Sequence, residues 1–191
     1  MRVLLSAGGT GGHLFPAEAL ANALKARGHV VALITDKRAR PFLDRFPADE
    51  VKLLSAQTPR TKNPLAVTRA LTLLGAGILS ARSFVRAQRP SVAVGFGGYP
   101  TVAPLLAAKS AGVPAIVHEA NAVPGSANAQ LARFAHVATS FPDTAGFAHA
   151  RSKTFVGMPV RPAVLDAVRP YEAPGDTFRL LVFGGSQGAR A

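Results

Sequence analysis

Gly8–His13 reads GGTGGH, within the opening stretch MRVLLSAGGTGGHLFPAEALANALKARG. Four glycines and a threonine separate a short apolar run, Arg2 to Ser6, from a segment of helical spacing, and a histidine closes them. One glycine would serve a tight strand-to-helix turn. Four leave a whole turn of backbone bare, and bare N–H groups at a helix start, with the helix dipole behind them, attract an anion. A phosphate or diphosphate suits that chemistry. Behind the loop, Ala17, Leu20, Ala21 and Leu24 recur at helical spacing, Pro16 suits the first turn and Gly28 a left-handed C-terminal residue, which predicts a helix from about Phe15 to Arg27. The spacing stops short of the dinucleotide fingerprint, since Gly9 and Gly11 give G-x-G but Leu14 holds the third glycine position. Asp36, at the end of the next apolar run, stands where a ribose-binding acid would, and this keeps a nicotinamide-dependent oxidoreductase open as an alternative.

Outward from this loop, short β-branched runs alternate with helical patterns. Val30 to Thr35, Val92 to Gly95, Ala115 to His118, His136 to Ser140 and Thr154 to Val156 read as strands; Pro64 to Ala87 and a segment ending at Ala111 read as helices. Such alternation predicts an α/β fold, a Rossmann-like parallel sheet with helices on both faces. VGFGGYPT, Val94 to Thr101, repeats the strand, glycine loop and helix of the first motif, and neighbouring parallel strands would bring both loops to the carboxyl edge of the sheet. The turn-rich GMPVRP and the proline- and glycine-bearing segment after it mark a domain boundary. Beyond it, FRLLVF (Phe178 to Phe183) reads as a strand entering a third loop, GGSQGAR. The expected organisation is a first domain over 1–160, a linker over 161–177 and the start of a second domain over 178–191.

The 191 residues carry a formal net charge of +12, and no Asp or Glu occurs from Val51 to His118, a span holding eight Lys and Arg from Lys52 to Lys109. A cationic surface of this kind meets a polyanion: nucleic acid, an anionic membrane or a phosphorylated substrate. With no Trp and two Tyr, stacking platforms for single-stranded nucleic acid are poorly supplied, which argues against that partner. There is no cysteine, hence no disulfide or thiolate metal site. The N-terminus lacks a signal-peptide h-region, and no uninterrupted apolar stretch reaches the ~20 residues of a bilayer span. Without a D-x-D pair or H-x-x-x-H, a tightly held catalytic metal has no obvious ligands, and no cofactor is expected.

GGTGGHLFPA, GFGGYPT, IVHEANAVPGSAN, VGMPVRP and FGGSQGAR, in this order from Leu4 to Arg190, resemble the MurG family of GT-B glycosyltransferases. The resemblance implies inverting, metal-independent transfer of N-acetylglucosamine from UDP-GlcNAc to an undecaprenyl-diphosphate-linked muramyl peptide, by a peripheral protein on the cytoplasmic face of the cell membrane. It also implies an N-terminal acceptor domain and a C-terminal domain carrying most of the UDP-sugar site. By motif, Thr10, Gly11, Gly12, Asn121, Arg161 and Ser186 fall at donor-binding positions. Gly9 and the second loop, with Gly97, Gly98 and Tyr99, face the acceptor diphosphate. Ala120 stands where the family commonly has glutamine, and Met158 where it commonly has asparagine.

His13 is the expected general base. It lies at the start of the first helix, where the dipole disfavours a protonated ring and keeps the imidazole neutral. His118 and Glu119 end a buried-looking strand, where a histidine is as readily structural as catalytic. Asn128 reads as an ordinary loop or cap residue. From Pro59 to Pro90 an apolar seam (Leu71, Leu74, Ile78, Val85) runs beside Arg82, Arg86 and Arg89, either a solvated core helix or a surface that rests on an anionic leaflet. A non-catalytic lipid-diphosphate or membrane-binding module remains a third reading.

Overall fold

The computed structural model describes residues 1–55, 64–173, 175–177 and 180–182. Among the described residues seven strands form one parallel sheet: β1 (Arg2–Ser6), β2 (Val30–Asp36), β3 (Glu50–Leu54), β4 (Val92–Gly95), β5 (Ala115–Glu119), β6 (His136–Thr139) and β7 (Lys153–Phe155), in the spatial order β3-β2-β1-β4-β5-β6-β7. The main helices are α1 (Gly11–Ala26), α2 (Arg40–Leu43), α3 (Pro64–Gln88), α4 (Val102–Ser110), α5 (Ser126–Leu131) and α6 (Pro162–Leu165).

Alternation along the strands builds two cores. Val3 and Leu5 of β1, with Val31 and Leu33 of β2, face Leu14, Ala17 and Ala21 of α1. Leu4, Ala32 and Ile34 point to the other side, where they join Ala81 and Val85 of α3, Leu105 of α4 and Val117 of β5. The predicted α/β fold is therefore the observed one.

Four details differ from the sequence reading. Helix α1 begins at Gly11, so the last two glycines of GGTGG lie inside its first turn. Strand β3 was not anticipated, because EVKLL has charged residues in it and buries fully only Leu54. In α3 the packed face is Ala70, Ala81 and Val85, while Leu71, expected in the seam, is 63% exposed because it lies about 100° round the helix from Ala70. Leu180–Val182, within the predicted strand from Phe178, is exposed and outside any strand.

Helix α3 is long and apolar enough to cross a membrane by length and composition. Here it lies along the domain: its buried side packs on the core, with Leu71 and Leu79 turned outward.

Candidate functional site

Strand order makes the site. β1 pairs with β2 on one side and β4 on the other, with Ser6 opposite Gly95. The winding direction reverses at this seam, and open α/β sheets hold ligands in the crevice outside the strand ends at such a point. The two glycine loops leave β1 and β4 there.

The imidazole of His13 fills the space between them. A Cβ built on Gly8 would lie 3.3 Å from His13 Cδ2, on Gly97 3.2 Å from Cε1 and Nδ1, and on Gly98 3.3 Å from Cδ2. Gly97 and Gly98 also have φ of +90° and +77°, which side chains resist. Part of the bare backbone is thus explained from within: it makes room for the histidine.

The remaining glycines of the first loop divide. A Cβ on Gly9 would meet Ala39 N and Asp36 Oδ1 at 2.6 Å, and the Gly9 N–H donates to Asp36 Oδ2 at 3.1 Å. That amide is spent inside the protein, so it does not point at an acceptor diphosphate. Asp36 also accepts from the Arg38 backbone N–H (2.8 Å), Nε (3.0 Å) and Nη2 (2.7 Å). Burial pushes its carboxyl up, but the bonds from Arg38 and Gly9 more than reverse this and leave it below the usual carboxylate range. The acid that could have read a ribose instead braces its own loop. Gly11 avoids a 2.8 Å clash with the Phe15 ring, whereas around Gly12 a Cβ would meet nothing within 4 Å. No neighbour among the described residues requires Gly12 to be bare. Beside it, Thr10 caps α1 in an extended conformation, its carbonyl accepting from the His13 and Leu14 N–H groups, while its hydroxyl makes no capping bond.

Burial holds the His13 ring below its ordinary pKa. The Phe96 carbonyl and the Glu119 carboxylate pull upward, and Arg38 adds to the lowering. The lowering expected from the helix dipole is matched in direction, but its leading cause is desolvation. Nδ1 is buried without a hydrogen-bond partner.

Glu119, 2% exposed, organises the third side of the site. Its Oε1 accepts from Asn121 N (2.9 Å) and Nδ2 (2.8 Å), and its Oε2 from Gly125 N (3.1 Å) and Asn128 Nδ2 (2.9 Å). Asn121 is thereby oriented at the exposed mouth. Asn128, read from sequence as an ordinary loop residue, is buried; it also donates to the His118 carbonyl at 3.1 Å and stands 3.2 Å from where a Gly97 Cβ would be. Neither role carries a sequence signal beyond a carboxylate at a strand end. His118 itself is buried behind the site, its Nε2 3.3 Å from the Gly157 carbonyl and 3.2 Å from Ser140 Oγ, its ring 5.4 Å from that of Phe96.

Arg161 comes to the far side of the first loop. Its guanidinium lies 3.9 Å from the Phe15 ring centroid, in cation–π contact, and 3.8 Å from Glu18 Oε2. With Gly11, Gly12, Phe42 and Met158 it lines an open groove of about 620 Å³. Tyr99 follows Gly98 at the start of a short 3-10 turn. Ser186 and the third glycine loop lie outside the described residues.

A Rossmann-like sheet with paired glycine loops at its switch point defines the class, an α/β domain with a ligand-binding crevice at the strand ends. The chain belongs to glycosyltransferase family 28: the model of that family's N-terminal domain matches residues 3–140. It is 52% identical over 192 residues to the UDP-N-acetylglucosamine--N-acetylmuramyl-(pentapeptide) pyrophosphoryl-undecaprenol N-acetylglucosamine transferase of Agrobacterium fabrum, and 53% to the same-named protein of Sinorhizobium medicae. Each alignment covers 98% of this chain and 51% of the relative, so the chain spans about half the length of the curated relatives it matches. Among solved structures it resembles Acinetobacter baumannii MurG (TM-score 0.66, 30% identity, 82% of this chain and 44% of that one). It shares its fold with Staphylococcus aureus MnaA in a UDP complex (TM-score 0.64, 13% identity, 90% of this chain and 48% of that one).

Proposed function

We propose that this chain is the acceptor-side half of an enzyme that transfers N-acetylglucosamine from UDP-GlcNAc to a lipid-diphosphate-linked muramyl peptide, with inversion and without a metal. The observation that carries this reading is the 52% identity, over 98% of the chain, to a protein so named. In the proposed reaction the acceptor hydroxyl attacks the anomeric carbon, the bond to UDP breaks, and His13 Nε2 takes the hydroxyl proton. A ring kept neutral by burial suits a general base. Gly97, Gly98 and Tyr99 hold the acceptor diphosphate. Gly9 shapes its loop without donating to that group. Thr10, Gly11, Gly12, Asn121, Arg161 and Ser186 contribute to the donor site, and the leaving diphosphate is met by free amides of the first turn and by Arg161. Residues 178–191 begin the second, donor-binding domain.

The same reading makes the protein peripheral on the cytoplasmic face of the membrane. Helix α3 supports this with outward Leu71 and Leu79, the latter beside Arg82 and Arg86, an arrangement suited to lying on an anionic leaflet.

Gly12 gives the test. Alanine fits there and favours a helix, so Gly12→Ala should leave the fold as stable or raise its stability by up to about 1 kcal/mol. In this chain joined to the second half of the Agrobacterium fabrum relative, the same change should weaken UDP-GlcNAc binding about tenfold, measured by calorimetry. Unchanged donor affinity would remove Gly12 from the site. Saturable NADH binding by the unmodified chain, with none for a short-chain lipid diphosphate, would favour the oxidoreductase.

A further inference from the structure

The amino-terminal edge of the sheet carries a second cleft, four residue steps down β5 from Glu119 and so about 13 Å from the crevice. It encloses about 450 Å³ between the end of α4, the start of β5 and the turn before β7. Lys109, His136, Arg151 and Ser152 line it. The Lys109 ammonium lies over the Phe134 ring, 4.5 Å from its centroid, at the cleft wall. His136 Nδ1 is 2.6 Å from Ser152 Oγ, which fixes the ring and leaves its other nitrogen unbonded among the described residues.

None of the chain's ten acidic residues lines this cleft, and none of the ion pairs among the described residues involves Lys109 or Arg151. Two cations and the hydrogen-bonded His136–Ser152 pair line it without a counter-charge. Glu119 and Asp143 are separated by a stretch with no acid, so the local sequence supplies none either. A guanidinium fork, an ammonium and a serine hydroxyl around a concave surface match the tetrahedral oxygens of a phosphate group.

We propose that this cleft binds a phosphate group, carried either by a soluble phosphomonoester or by a lipid headgroup. Arg151 and Lys109 supply the charge, the His136–Ser152 pair directs one hydrogen bond from whichever member keeps a free proton, and the site is separate from the glycosyl-transfer crevice. It does not depend on the reaction assigned to that crevice.

The test follows the His136 ring signals by NMR in this chain at constant ionic strength. One arm adds glycerol phosphate; the other adds phosphatidylcholine vesicles with or without phosphatidic acid. A saturable response of His136 to glycerol phosphate identifies a soluble ligand, and a response only to vesicles containing phosphatidic acid identifies the headgroup; either supports the cleft. Arg151→Gln and Lys109→Gln should each weaken binding about tenfold, whereas Arg45→Gln, which removes an equal charge elsewhere, should not. No response of His136 in either arm, or equal weakening by all three substitutions, overturns the proposal.

Discussion

His13 and His118 are both desolvated, and burial is the leading cause of a lowered pKa at each. Their seats nevertheless differ. His13 is walled by glycines from two loops at the strand ends, where the proposed transfer would take place. His118, 3% exposed, spends Nε2 on Ser140 and Gly157 and presents no atom to a substrate. A lowered pKa alone therefore does not mark a base; the distinction lies in where each ring sits and what its nitrogens already bond.

The largest expected separation between the two is in turnover. In the extended two-half protein, His13→Ala should cut kcat by about 100 to 10,000-fold with UDP-GlcNAc affinity nearly kept, and the acidic limb of the rate profile should disappear. Near-normal turnover in that variant would break the contrast and return the base to Glu119 or water. His118→Leu should do the reverse: kcat of the folded protein stays within a few-fold, while urea unfolding shows about 1–3 kcal/mol lost as Ser140 and the Gly157 carbonyl lose their partner. A collapse of kcat with full stability would make His118 catalytic after all.

The smallest effect is shared by the two rings. Because both folded-state pKa values lie below the ordinary 6.5, the unfolded chain takes up protons first as pH falls. Stability is unaffected above that value. It declines through the window beneath it by at most about 1.4 kcal/mol per pH unit for each ring, until the folded rings titrate as well. Removing either histidine should reduce the slope by one ring's share in denaturation series between neutral and mildly acidic pH. An unaltered slope in both variants would mean that burial does not set these pKa values.

What could be read from the sequence was whatever is local. The glycine loops, α1 and the strands that carry an apolar run declared themselves through spacing, and His13 through its place at a helix start. Strand β3 did not, since an edge strand with one fully buried residue shows no clean alternation. Nor did α5, whose SANAQL has too little apolar character to display a face. Glu119 and Asn128 escaped for another reason: their function is to bond residues brought near by folding, and hydrogen-bond partners leave no periodic trace. Asp36 was visible, but its strand-end position suits equally a ribose and the Gly9 amide, and only the three-dimensional contact decides between them.

The β1–β4 seam also bears on the order of folding. Val3 pairs with Val31 in β2 and with Val92 in β4. Closing the longer loop costs about 1 kcal/mol more in chain entropy than closing the shorter one, so the β1–β2 pair should form ahead of the seam that joins the glycine loops. The crevice is then a late product of folding, and early intermediates hold His13 on its helix without Gly97 and Gly98 around it. Pulse-labelled hydrogen exchange should protect the Ile34 amide, which faces β1, before that of Val94; simultaneous protection would mean that the two seams close in one step.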